Sequence, residues 1–356
     1  MSRLLLLSFI VIFILASQVG CTTDLSCGKL DDILVNSQYD LLTGNVFYKK
    51  GIFDEIDRDL VLPIYEADLT NWNYQEIKND LINSTNVEVI EEHQFINRCF
   101  ATIKTDSITS TLTVYNQRII YKMGMNSCAE RAAAILYTHE WNENICCEVV
   151  NSLQRDSTCS KIESYLAYLG VNELVRYTVY SLTEKGLELL VQENVCDCGQ
   201  CGDNFSDMLY IDISFYVEGI PVCKESIDYF KRGYIITGQY GTAISSENDI
   251  TFLFLNAPIN NILTYFQTMG IVSQYDAAIA VADRLNKIVK VTDMYYVIEA
   301  INLQWFPIYK DREHEQFLLN PVWTVSVMLN STSEDLKTDE SISRIYIDAL
   351  TGRELV

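Results

Sequence analysis

The chain has 356 residues, with 48 Asp and Glu against 26 Lys and Arg, a formal charge of −22. Hydrophobic residues make up 49%, and only 15 residues are Gly and 5 are Pro, which excludes disordered, collagen-like and low-complexity chains. The acidic balance excludes nucleic acid as a partner, because phosphate binding needs clustered Lys and Arg. It also disfavours attachment to an anionic bilayer by charge alone.

The first element is a basic start, Met1-Ser2-Arg3, followed by an apolar run from Leu4 to Ala16 broken only by Ser8. Small and polar residues, Ser17 to Cys21, follow. This order reads as a secretory signal over 1–20, and the run is too short for the roughly 20 residues that span a bilayer. Val19-Gly20-Cys21 resembles the end of a bacterial lipoprotein box. That resemblance implies lipidation at Cys21 and an acyl anchor in the lipid bilayer, outside the cell. Ordinary signal-peptidase cleavage, which would release a secreted chain, is the alternative.

Residues 21–60 read as a tether and lead-in segment. Val61 to Tyr65 reads as a strand whose Pro63 suits an edge. Tyr74 to Asn83 reads as a helix, and Val87 to Tyr121 as strands, with Asn116-Gln117 as a hairpin turn. Ser127 and Glu130 form a capping-box pattern at the head of a helix through Tyr137. Asp156-Ser157 is placed to cap a second helix that runs to Gly170, a natural left-handed stop. Arg176 to Leu182 returns to strand.

Cys196-Asp197-Cys198-Gly199-Gln200-Cys201 is the densest cluster of chemistry-bearing side chains, with Cys223 beyond it. Three readings compete. Export favours disulfides that staple a loop. Thiolates at this spacing can also reach one zinc, which makes Cys196, Cys198, Cys201 and Cys223 candidate metal ligands. Cys198 and Cys201 have the spacing of a redox pair, without an evident helix start to depress a thiol pKa. The chain has 11 Cys. A lipidated Cys21 would leave an even number, which agrees with disulfides.

Met208 to Val217 reads as a strand, Glu218-Gly219 as a turn, and Ile220 to Val222 as the start of the next strand. Thr251 to Leu255 reads as a strand. Ser273 to Asp276 caps a third helix whose buried face is Ala278, Val281, Ala282, Leu285 and Ile288. Tyr295 to Gln304, Val322 to Leu329 and Ile342 to Ile347 read as strands, closed by a turn at 348–352. The fold class read from this order is α+β, antiparallel sheets with helices packed on one face. Two units of similar style are expected, 61–205 and 206–356.

Pro321-Val322-Trp323 followed by Asp348-Ala349-Leu350-Thr351-Gly352 resembles the closing strands of a PepSY-type domain. There the Trp anchors a sheet against a helix and the Gly makes the exit turn. More broadly, residues from about 60 to 352 resemble a family of uncharacterised Gram-positive secreted lipoproteins. The segments that carry this are Leu62 to Tyr65, Tyr168 to Gly170, Tyr216 to Val222 and the C-terminal motifs. The resemblance implies two PepSY-like or related units and a regulatory partner, an envelope protein or secreted peptidase. None of these motifs is catalytic.

His93, His139 and His314 have no metal-ligand spacing to a second His, and no nucleophile elbow, Walker loop or dinucleotide fingerprint occurs. The resulting expectation is an exported, lipid-anchored, non-enzymatic binding or regulatory protein at the cell surface, with no cofactor. The rival readings are a secreted thiol-disulfide oxidoreductase using Cys198 and Cys201, and a structural envelope protein.

Overall fold

A computed structural model of the chain describes residues 38–53, 61–69, 72–77, 87–96, 98–105, 108–115, 117–123, 127–138, 145–149, 151–171, 175–193, 208–225, 227–228, 235–236, 238–246, 249–256, 259–288, 294–311, 316–331 and 342–355. Nineteen strands and four helices lie among them, with a further helical turn at 74–77. Strands β1 (Tyr39–Thr43), β2 (Val46–Lys49) and β3 (Val61–Leu69) come first, then β4 (Val87–Phe95), β5 (Arg98–Thr105), β6 (Ile108–Tyr115) and β7 (Arg118–Met123). Helix α1 (Ser127–Thr138), β8 (Cys146–Glu148), α2 (Ser152–Tyr168), β9 (Val175–Leu182) and α3 (Glu184–Gln192) follow. Next are β10 (Met208–Val217), β11 (Ile220–Pro221), β12 (Ile227–Asp228), β13 (Ile235–Ile236), β14 (Tyr240–Ser246), β15 (Asp249–Asn256) and β16 (Ile259–Gly270). The chain closes with α4 (Gln274–Ile288), β17 (Met294–Asp311), β18 (Gln316–Ser331) and β19 (Ile342–Asp348).

The strands form two large sheets. Sheet 1 runs β1-β2-β17-β18-β3-β16, with β19 on β18 and the short β13 on β17. Sheet 2 runs β4-β5-β6-β7-β15-β14-β10-β9-β8. All pairings are antiparallel except β2 with β17 and a parallel bridge from Val222 to Trp305. The expected α+β class is therefore corrected. The molecule is mainly β, and its largest core joins the two sheets, with Ile162 and Leu166 of α2 the helical share of it. That core joins Leu62, Tyr65, Trp305 and Leu319 of sheet 1 to Ile103, Ile211, Phe215 and Leu255 of sheet 2. The physical reason is in the strands themselves. They carry enough apolar residues to bury one sheet face against the other, so few helices are needed.

Neither sheet is drawn from one side of residue 205. Strand β3 pairs with β16 and β18, and β7 pairs with β15. The long β17–β18 ribbon holds sheet 1 together across this interleaving.

Local expectations fared unevenly. Tyr115 pairs with Arg118 as the hairpin predicts. Only 74–77 of the expected 74–83 helix is described, and it is helical. Helix α2 starts earlier than Asp156. Asn151 caps it, its side chain accepting from the backbone N–H of Leu153 at 3.1 Å and of Gln154 at 3.5 Å. Helix α3, with Thr183 as its N-cap, was not anticipated. Ser273 does cap α4, accepting from Asp276 N at 3.1 Å while the Asp276 carboxylate accepts from the Ser273 hydroxyl at 2.7 Å. Pro63 pairs with Thr268 of β16 but lies beyond the β3–β18 ladder, so its missing N–H costs no bond on that side. Strand β4 is an edge of sheet 2 among the described residues, with Glu88 and Glu91 exposed on it and His93 bonded to Glu91 at 2.7 Å.

Candidate functional site

Strand β10 shows how the main cleft arises. Its odd residues, from Leu209 to Val217, face the inter-sheet core. Its even residues face the other way. Met208 and Tyr210 are covered by α1 and α3 through Ala132, Ala133, Leu136 and Leu190. Helix α1 ends just past Tyr137, whose ring stacks on Tyr240 at 4.6 Å. Beyond that cover the same strand face carries Asp212, Ser214 and Tyr216. Here the sequence alternates polar with apolar, and the sheet opens into a cavity of about 710 Å³.

The opposite wall is the face of sheet 1 turned away from α4. It presents Asn302 and Gln304 from β17, Thr324 and Ser326 from β18, and Arg344 from β19. These align in register, with Gln304 next to Val322, Asn302 opposite Thr324, and Ser326 opposite Arg344. Gln304 accepts from the Thr324 hydroxyl at 3.1 Å.

A strap of residues 220–225 closes one side. The chain reverses at Glu218 and Gly219, both with positive φ. Val222 N then donates to Phe215 O, and Cys223 N to Trp305 O, both at 2.8 Å. The strap thus bonds one sheet and then the other. Gly238 lies beneath it so closely that an added Cβ would sit 2.1 Å from Lys224 O, which is why no side chain fits there.

The charged groups of the cleft are paired within the protein. Lys224 donates to Asp212 Oδ2 at 2.5 Å, and Ser214 donates to the same oxygen at 3.1 Å. The Asp212 side chain is only 8% exposed. Its other oxygen, Oδ1, is buried and accepts no hydrogen bond among the described residues. Arg344 pairs with Glu225, which also accepts from the Tyr346 hydroxyl. Arg176 lies 4.2 Å over the Tyr216 ring. Burial, then the neighbouring Tyr240 and Asp212, raise the Tyr137 phenol above its ordinary value.

Of the residues singled out from sequence, Cys21, Cys196, Cys198 and Cys201 lie outside the described residues. Cys223 is described and buried, 1% exposed. Its sulfur accepts from Glu225 N at 3.4 Å and lies 3.6 Å from Glu225 O. Burial pushes this thiol up to about 12, so at neutral pH it is protonated and a poor nucleophile or metal ligand. Burial likewise pushes Cys146 to about 12. Cys99, Cys146, Cys159 and Cys223 are free thiols, which corrects the expectation of disulfides for Cys99, Cys146 and Cys223. Each is at least partly buried, where Cys behaves as a small hydrophobe.

The structure does bring Pro321, Trp323, Asp348, Ala349 and Gly352 together, away from the cleft. The Trp323 indole donates to Val272 O at 2.9 Å, and Val272 N donates to Ala349 O at 2.7 Å. Ala349 N donates to Pro321 O at 3.0 Å. The Asp348 carboxylate accepts from Leu350 N and Thr351 N, and Gly352 completes the turn at φ +67°. The motif docks the start of α4 on the sheet. It builds fold, not a reactive site.

The cleft residues were missed in the sequence. The signal that could have found them is the polar alternation Asp212-x-Ser214-x-Tyr216, Asn302-x-Gln304 and Thr324-x-Ser326 inside otherwise apolar strands.

No protein-family model matches the chain, and no curated protein is similar to it. Among solved structures, the chain is similar to an uncharacterized protein from Eubacterium rectale ATCC 33656, with a TM-score of 0.64 at 14% identity, over 92% of this chain and 97% of that one. That likeness is one of fold. A second structure, the Bacillus megaterium YpeB C-terminal domain, aligns at a TM-score of 0.32 and 9% identity over 80% of this chain and 96% of that one.

Proposed function

We propose that this chain is a non-catalytic binding protein held outside the cell by an acyl chain on Cys21, and that the cleft at the junction of the two sheets, on the faces turned away from their shared core, is where it takes its ligand. The observation that carries this reading is the cleft itself. A cavity of about 710 Å³ falls within the range of roughly 300–1,000 Å³ typical of small-molecule sites. Its walls are strands of two sheets joined through buried bonds, so the binding groups are held before a ligand arrives. The anchor rests on the signal and the Val19-Gly20-Cys21 sequence. Regulation of an envelope protein or secreted peptidase is the partner role that the PepSY-like motif implies, and ligand binding in the cleft is the event that would govern it.

The test is a thermal-shift panel of sugars, amino acids and short peptides on the full chain, run beside a Ser326→Trp variant that fills the cleft. A ligand that raises the melting temperature of the natural chain but not of the variant is expected. A panel in which no class of ligand shifts the natural chain would overturn the binding reading in favour of a structural envelope role. Intact mass of the protein from its native membrane checks the anchor, with a diacylglyceryl increment expected on a chain beginning at Cys21.

A further inference from the structure

We propose that the ligand of this cleft is a neutral, hydroxyl-rich molecule of the carbohydrate class, an inference that rests on the binding reading above. Charge comes first. The two cations that line the cleft are each held by a carboxylate, Lys224 by Asp212 and Arg344 by Glu225, and a third, Arg176, lies over the Tyr216 ring. An ionic ligand would have to break one of these pairs to gain its own, and the exchange returns little. A neutral ligand leaves them intact.

The second observation is the buried oxygen. Asp212 shares the strand face of the cleft-lining Ser214 and Tyr216 and holds the cleft-lining Lys224 without itself lining the cavity, and its Oδ1 is a buried acceptor with no donor among the described residues. A buried carboxylate oxygen left unmatched is costly, so a ligand O–H or N–H that reached past Lys224 and Ser214 would be favoured there. Ligand hydroxyls can supply that donor, accept from Lys224, and donate to the Ser214 oxygen, whose own O–H is held by Asp212.

The third is the facing wall. Asn302, Gln304 and Ser326 can both donate and accept, while Thr324, whose O–H is given to Gln304, offers its oxygen as an acceptor. They sit on neighbouring strands roughly 5 Å apart and repeat at about 7 Å along each strand. This grid of two-way groups matches the repeated hydroxyls of a sugar better than the single charge of an ion. Tyr216, fixed from one side by Arg176, adds an aromatic body against which the C–H face of a sugar ring can lie.

The deciding experiment is isothermal titration of the full chain with a panel of neutral di- and trisaccharides, including diacetylchitobiose and maltotriose. The dipeptide Ala-Ala serves as a zwitterionic comparator, and salt is varied between about 0.1 and 0.5 M, where the screening length shortens about twofold. A neutral sugar is expected to bind with less than about a twofold change over this range. Asp212→Asn and Asn302→Ala are each expected to weaken it about tenfold. Asn302 is exposed, so its variant keeps the melting temperature and remains informative if Asp212→Asn does not fold. Salt-sensitive binding of Ala-Ala with no sugar binding overturns the carbohydrate class and leaves the cleft a binding site. Sugar binding untouched by Asn302→Ala places the sugar elsewhere and also overturns the proposal. Silence of every sugar overturns it as well, and the thermal-shift panel then tells whether another class of ligand occupies the cleft.

Discussion

Two tryptophans do the same local job with different reach. Trp305 and Trp323 are both fully buried, and both indoles donate to a backbone carbonyl at about 3 Å. Trp323 donates to Val272, next to the helix that its own motif docks. Trp305 donates to Val217, 88 positions away in sequence and in the other sheet. Its backbone carbonyl accepts from Cys223 in the strap, and its ring meets Tyr65 edge-on at 5.3 Å. One tryptophan closes a local unit. The other holds two sheets together beside the cleft.

The largest expected effect follows from that difference in reach. Trp305→Ala should cost about 3–5 kcal/mol in urea unfolding, as large-to-small core substitutions of this size do. Hydrogen exchange should then rise in strands of both sheets. Trp323→Ala should cost a similar amount, with faster exchange concentrated in α4 and β19. Equal loss of protection in sheet 2 from both variants would erase the distinction.

The junction can be probed more gently at Gly238. Adding a methyl group there forces the strap away from its neighbour, for about 1–3 kcal/mol. Gly238→Ala should also weaken any ligand that the cleft binds, whereas a stability loss with affinity unchanged would separate strap from site.

Alkali should act on the same seam. The Cys223 thiol titrates near 12 in the folded chain and near 9 when unfolded, so the native state holds a proton that the unfolded state releases. Its contribution is complete below pH 9 and declines as pH rises towards 12, by about 1.4 kcal/mol per unit at most. Cys146 behaves alike. A Cys223→Ala variant should lose less stability than the natural chain between pH 9 and 10, and identical slopes would contradict the assignment.

The smallest effect belongs to the motif corner. Ser273→Ala removes the cap of α4 and should cost about 1 kcal/mol, read as a small drop in melting temperature.

The same contrast explains what was legible in the sequence. Local devices read well. The hairpin that pairs Tyr115 with Arg118, the Ser273 cap and the Asp348 turn each depend on a few adjacent residues, and the structure bears them out. Helix α2 was misjudged because Asn151 competes with Asp156 and Ser157 as a cap, and propensity does not rank them. The fold class failed for a different reason. Period-2 alternation identifies a half-buried strand but not what covers it, and here one sheet covers the other. The cleft was invisible because Asp212, Lys224, Gln304 and Arg344 come from elements far apart in sequence. Only the polar alternation hinted at it. The cysteine cluster that drew attention instead falls mostly outside the described residues, and its one described member, Cys223, is a buried, protonated thiol.

Edge strand β4 has a consequence for how copies of this chain behave when crowded. An open edge offers unpaired backbone groups to any other strand and so invites end-to-end stacking of sheets. Glu88 and Glu91 line this edge with negative charge, on a chain already at −22. Two copies approaching along β4 would bring carboxylates together before their backbones could bond. Acidity along this strand thus works against each molecule serving as a template for the next.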